Sequence, residues 1–249
     1  MRFARFEFQG IVQYGQVQGD RIQAIQGDLF GRWQLTDQSY PLAGVRLLAP
    51  VQPAKMLGVG LNYRSHLNGR EEPKKPELFW KPASAVIGPD EAIVLPSDAS
   101  DTHPEGELVV VIGQRASHVS VADARKCILG YTCGNDVSER AWQQGDRQWW
   151  RAKGCDTFAP LGPWIETELD LASARITCTV NDQVMQEAGF DELIFDVPAI
   201  VSFASRYVTL EPGDVIFTGA AGKTRRMDPG DRIAVSITGL GTLENSVSG

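Results

Sequence analysis

The clearest regular pattern in the chain is the run Glu105–Gly113, EGELVVVIG, in which two acids lead into an unbroken apolar stretch. Such a run predicts a central strand. Met56–Gly60 reads as another short buried strand, and Tyr131–Asn135 as a third. Near the start, Phe6-Glu7-Phe8 and Arg21-Ile22-Gln23-Ala24 alternate as half-buried strands do, with Gly10, Gly15, Gly19 and Gly27 read as turns. These mark a small N-terminal β unit over residues 1–50, and the character changes at Ala49-Pro50, so a main domain is expected over 51–249. Within it, Asn62 to Pro76 is a long polar stretch with charges at Arg70-Glu71-Glu72 and Lys74-Lys75. A loop of that length inside a globular domain is functional or disordered, and a lid is the expectation. Ser120 to Asp123 resembles a capping box, opening a helix through Ile128 that Gly130 closes. Ser138–Gln144 predicts a helical turn or two. Arg175–Gln186 alternates around an Asn181-Asp182 hairpin turn, and a helix is predicted from Asp196 to about Tyr207 with Pro198 in its first turn. Two Pro-Gly-Asp turns, at Pro212 and Pro229, each lead into a strand, Val215–Phe217 and Ile233–Val235. No repeat of solenoid period occurs. The fold class expected is mainly β (α+β), with a few short helices.

Composition narrows the function classes. The 249 residues carry 24 Lys+Arg against 31 Asp+Glu, a net charge of 24 − 31 = −7, which disfavours nonspecific binding to nucleic acid or anionic lipid. The longest apolar run falls far short of the roughly 20 residues of a membrane span. Met1–Gly10 has no apolar signal segment, and the four cysteines form neither a CxxC pair nor a secreted-type framework. A cytoplasmic protein with reduced thiols is the expectation, Cys127 and Cys178 being core residues.

Four features offer chemistry. At i and i+2 on a strand, Glu105 and Glu107 project from one face, and two like charges so close need a cation between them. A hard divalent ion meets that need, although an isolated ExE is more often a solvated strand end. Asp136 ends an apolar strand, where a third carboxylate can converge; alone it reads as an Asx turn or helix cap. Lys153 lies in WWRAKGCDTFAPLGPW, so apolar that its ammonium needs a buried acid or a substrate anion. His66, on the polar loop, is either simply solvated or a general base. Dinucleotide, P-loop, zincin and nucleophile-elbow motifs are absent, and GAAGKT at 219–224 has the wrong glycine spacing for a phosphate loop.

Seven strings, taken in order, resemble the fumarylacetoacetate hydrolase family: GLNYRSH (60–66), LFWKPASAVIG (78–88), PEGELVVVIG (104–113), GYTCGNDVSERAWQ (130–143), RAKGCDTFAPLGPW (151–164), LEPGDVIFTG (210–219) and GDRIAVSITGLGTLENSV (230–247). The resemblance implies a mixed β-sandwich roll over 51–249 as the catalytic domain, usually in a homodimer. It implies Mg²⁺ or Mn²⁺ on Glu105, Glu107 and Asp136, and a small 2-oxo or β-diketo acid substrate. Arg140, Gln143 and Thr218 look like substrate contacts, Lys153 like the lysine that steadies an enolate, and Thr157 like a supporting hydroxyl. Two positions depart from the family pattern. Gly69 stands where family hydrolases carry a glutamate three residues after the histidine, with Glu71 and Glu72 just beyond. Ala220 replaces a threonine that members use to bind the substrate carboxylate. Cleavage of a C–C bond, by hydrolysis or decarboxylation with His66 as base toward water, ranks first. Isomerisation or keto–enol tautomerisation of a dienoate or 2-oxo diacid follows narrowly, and metal-dependent binding without turnover is third. Specificity is expected from the lid, Asn68 to Lys75, and from the N-terminal unit.

Overall fold

The computed structural model describes residues 1–67 and 69–249; Asn68, at the head of the expected lid, lies outside the described residues. Glu105–Gly113 explains the architecture. Its strand, Gly106–Ile112, is buried along its whole length because alternate side chains enter two different cores. Leu108, Val110 and Ile112 pack with Ile176, Cys178 and Val235, while Val109 and Val111 pack with Met56, Phe217 and Ile165. A strand covered on both faces has no need of polar alternation, hence the unbroken apolar run.

Among the described residues the larger sheet has 12 strands. Gly106–Ile112 pairs antiparallel with Ile128–Asn135 on one side and Val215–Phe217 on the other. Met56–Gly60 joins parallel to Val215–Phe217, and Glu77–Lys81 closes that edge. In the other direction Ala159–Glu166 links Ile128–Asn135 to Arg2–Phe8, from which the N-terminal hairpins Ile11–Gln18, Arg21–Gly27 and Trp33–Pro41 extend. A second, five-stranded sheet runs Gln183–Gly189, Arg175–Val180, Arg232–Ile237, Gly241–Ser248, Ile93–Val94. Four short α-helices lie among the described residues, and none is long and apolar enough to cross a membrane. The protein is mainly β.

The Asn181-Asp182 hairpin, both Pro-Gly-Asp turns and the helix Val197–Ser205, capped by Asp196, form where the sequence places them. Three local expectations do not hold. Gly15 lies inside Ile11–Gln18 rather than in a turn. The helix after Ser120 spans only Val121–Ala124 and tightens to a 3-10 turn over Arg125–Cys127. Gly130 is not its cap: it pairs with Val111 in the sheet, where a Cβ would stand 2.5 Å from the Glu166 carbonyl oxygen. Here close approach of two strands, and not a left-handed backbone, demands glycine. Thirdly, Ser138–Glu139 bridges Thr102–His103, so the helix starts only at Arg140.

The four cysteines are free, with Cys127, Cys133 and Cys178 buried and Cys155 partly exposed. Burial pushes the Cys178 thiol up to about 12 and raises Cys133 as well. Thiolate being the reactive form, a disulfide reagent on the native protein is expected to modify at most Cys127 and Cys155, and all four in denaturant. Rapid native modification of Cys133 or Cys178, located by peptide mapping, would contradict this packing.

Candidate metal centre and cavity

The central strands bring three acids to one end of the sheet. Glu105 just precedes Gly106–Ile112, and its backbone N–H donates to Asn135 Oδ1 at 2.9 Å. The Asp136 N–H donates to the Glu105 carbonyl at 2.8 Å, so the ends of the paired strands are tied together. Ligand atoms of Glu105, Glu107 and Asp136 fall within 4.8 Å of one another, all three residues buried. Asp136 does not cap the following helix; Glu139 does, its buried carboxylate also accepting from the Asp101 N–H and the Thr102 hydroxyl.

Cations compensate these acids unequally. Lys153 Nζ bonds Glu105 Oε2 and reaches Asp136 Oδ2 at 2.6 Å; Lys81 Nζ reaches Asp136 Oδ1 at 2.6 Å; and Arg140 meets Glu105 Oε1 at 2.6 Å. Burial would raise the Glu105 pKa, but Lys153, Arg140 and His66 outweigh it and hold the carboxyl far below its usual range. Glu107 accepts only the Gly219 N–H, at 2.6 Å, among the described residues. Its burial, with Asp136 and Glu105 beside it, pushes its pKa well above the glutamate range. The cluster thus has one carboxylate with no cation bonded to it, facing two others: a donor set of hard oxygens with negative charge left over, which fits a divalent ion such as Mg²⁺ or Mn²⁺. Burial lowers the Lys153 pKa but Asp136 and Glu105 more than restore it, so the ammonium stays charged, with one of its three N–H donors left for a ligand.

The triad and Lys153 open onto a cavity of about 760 Å³. His66, on the 3-10 turn Arg64–His66, lies on its wall. Its Nδ1 is 2.6 Å from the Gly222 carbonyl oxygen, which can only accept, so the neutral ring carries its lone pair on Nε2, 3.8 Å from Glu105 Oε1. Arg140 and Gln143 also line the cavity, joined by an Nη1–Oε1 hydrogen bond of 2.8 Å. Ala220 forms part of the wall, at the position where family members usually carry a threonine.

Other expected residues lie elsewhere. The Thr218 hydroxyl is buried and donates to the Leu108 carbonyl at 3.0 Å, away from the cavity lining. The Thr157 hydroxyl accepts the Val94 N–H at 2.9 Å. Glu72 pairs with Arg64 at 2.8 Å on the surface, and Glu71 is exposed, so in this structure neither takes the place left by Gly69.

Several participants escape sequence reasoning. Lys81 is as buried as Lys153 and lies in the equally apolar LFWKP; the reasoning that singles out Lys153 applies to it unchanged. Asn62 donates to the Thr218 and Phe195 carbonyls, and Gln186 accepts the Gly106 N–H while donating to the Ala221 carbonyl, bracing the loop after Val215–Phe217. On the outer wall, His103 bonds Asp101 at 2.9 Å and the Thr224 hydroxyl at 3.1 Å, near Arg70 and Lys223.

A family profile described as "Fumarylacetoacetate (FAA) hydrolase C-terminal" matches residues 55–248. The chain belongs to the fumarylacetoacetate hydrolase family. A second profile, "Rv2993c-like, N-terminal", matches residues 1–50. Among solved structures of the family, the 2-hydroxyhepta-2,4-diene-1,7-dioate isomerase of Mycobacterium marinum is 42% identical with a TM-score of 0.94, covering 100% of this chain and 98% of the other. Maleylpyruvate hydrolase from Sphingobium sp. SYK-6, in complex with manganese(II) and pyruvate, is 31% identical with a TM-score of 0.83, covering 100% and 99%. The mitochondrial oxaloacetate tautomerase FAHD2A of Bos taurus is 38% identical over 222 residues, 83% of this chain and 71% of that protein. The fold is that of the fumarylacetoacetate hydrolase family, and the buried Glu/Glu/Asp triad is typical of its divalent-metal site.

Proposed function

We propose that this protein is a divalent-metal-dependent isomerase or keto–enol tautomerase of a 2-oxo diacid or 2-hydroxydienoate. One observation carries the choice over bond cleavage: every carboxylate lining the cavity among the described residues already has another task. Glu105, Glu107 and Asp136 form the triad, and Asp101 is bound to His103. The acid nearest His66 Nε2, Glu105 at 3.8 Å, is a triad member, and Gly69 supplies no carboxylate of its own to drive a water molecule, while moving a proton and holding an enolate require only a base and cations. The names of the M. marinum and B. taurus relatives, an isomerase and a tautomerase, support the same reading.

Glu105, Glu107 and Asp136 would hold the ion, which when bound polarises the substrate's 2-oxo group as a Lewis acid. Arg140, steadied by Gln143, meets the neighbouring carboxylate. The remaining N–H of Lys153 donates to the oxygen that becomes negative as the C–H bond breaks. His66 Nε2 takes that proton and returns it at the new position. Val59 and Trp149 give the wall apolar surface, and Arg70 and Lys223 give the outer cavity the charge to accept the far end of an acid.

Ultraviolet monitoring of enol absorbance with oxaloacetate, in Mg²⁺, Mn²⁺ or chelator, tests this directly: metal-dependent acceleration is expected, and equal rates in chelator would refute it. H66A is expected to lower the rate about a hundredfold, the low end for loss of a positioned base. An unchanged rate would remove His66 from the reaction. Cleavage remains the second reading because the similar maleylpyruvate hydrolase binds Mn²⁺ and pyruvate.

A further inference from the structure

Lys81 stands outside the cavity yet touches both halves of the site. It ends the edge strand Glu77–Lys81, where alternation puts Phe79 and Lys81 on the inner face and Trp80 outside, half exposed. The Lys81 side chain is wholly buried. Its Nζ donates to Asp136 Oδ1 at 2.6 Å and also to the backbone carbonyl of Lys153, with the Phe217 ring 5.7 Å away. Lys153 in turn reaches the opposite Asp136 oxygen, Oδ2, and its ammonium lies 5.1 Å from the Phe79 ring. Asp136 is therefore gripped at both oxygens by two lysines of different standing. Asp136 and Lys153 line the cavity and Lys81 does not, so one lysine holds Oδ2 from within the cavity lining and the other holds Oδ1 from outside it.

We infer that Lys81 is a positioning residue: it fixes the rotation of the Asp136 carboxylate and locks the backbone of the helix Trp150–Gly154, so that Asp136 Oδ2 and the Lys153 ammonium face the cavity together. Partners of this kind are worth about 10- to 100-fold in metal affinity. The inference rests on the metal-site reading above, and it separates two effects of opposite sign. If Lys81 acted only as a nearby positive charge, removing it would make the carboxylate cluster more negative and tighten cation binding. If it orients Asp136, removing it lets the carboxylate turn and loosens binding.

Mn²⁺ titration of metal-free protein by calorimetry, at one pH, compares wild type with K81M and K81R, the fold checked by near-ultraviolet circular dichroism. K81M is expected to lose about tenfold or more in Mn²⁺ affinity. K81R, which keeps donors for both acceptors, is expected to stay within about threefold of wild type. Should K81M not fold, K81Q takes its place with the same expected loss, since its neutral amide ends one atom short of the Nζ position from which both acceptors are reached. Wild-type or tighter affinity in the folded neutral variant would overturn the positioning role. Absence of Mn²⁺ binding by the wild type would overturn the metal-site reading itself, and with it this inference.

Discussion

E107Q is expected to abolish turnover, by at least about a thousandfold if a bound metal supplies several kcal/mol of transition-state stabilisation. The same change should make the metal-free protein more heat-stable. Glu107 is buried beside Asp136 and Glu105 with no cation bonded to it among the described residues, so its charge is a cost of folding unless a metal is present. A neutral amide of the same shape removes that cost and can still accept the Gly219 N–H. The melting temperature in chelator should rise by about 3 °C or more, the shift that roughly 1 kcal/mol produces in a chain of this size. The pH dependence follows from the direction of the shift. A carboxyl whose folded pKa lies above its unfolded value of about 4.3 contributes its stability in full below that value, and loses it as pH rises through the folded value. Wild-type metal-free protein should therefore lose stability with rising pH above the ordinary glutamate range, and E107Q should not. Scanning calorimetry in chelator checks both; a lower melting temperature for E107Q would mean that Glu107 is compensated in some other way.

K153M is expected to lower kcat by about 100- to 1000-fold, the usual loss when one preorganised donor to a developing oxyanion is removed. Mn²⁺ affinity should not fall with it. Lys153 occupies Glu105 Oε2 and Asp136 Oδ2, while Glu105 keeps Ser138 and Arg140 and Asp136 keeps Lys81. Removing a competing cation leaves the carboxylates anchored and freer to take a metal. Parallel loss of kcat and Mn²⁺ affinity would instead assign Lys153 to holding the site together.

The parts of the site that can be read from sequence are those set by local geometry. Period-two alternation places Glu105 and Glu107 together, and charge in an apolar setting marks Lys153. Other parts depend on pairing across long separations. Asn62 donates to Thr218, 156 positions away, and Gln186 accepts from Gly106, 80 away, so neither carries a local signal. Gly130 shows a local rule overridden: a glycine after a helix reads as a cap, but strand pairing with Val111 claims it. Thr218 shows the limit of a motif, for the string is present while the hydroxyl is taken by the Leu108 carbonyl. Lys81 is different, since the physics needed to find it was available in its own five-residue context.

The most direct measurement is ultraviolet absorbance together with mass spectrometry of 2-hydroxyhepta-2,4-diene-1,7-dioate and of oxaloacetate after incubation with purified protein and Mn²⁺, each read against Mn²⁺ without protein. Conversion to an isomer of unchanged mass, absent in chelator and in E107Q, is the result expected of an isomerase or tautomerase built on this triad. Metal-dependent release of pyruvate, CO₂ or a shorter acid as the main product would contradict that account and make this a C–C bond-cleaving enzyme.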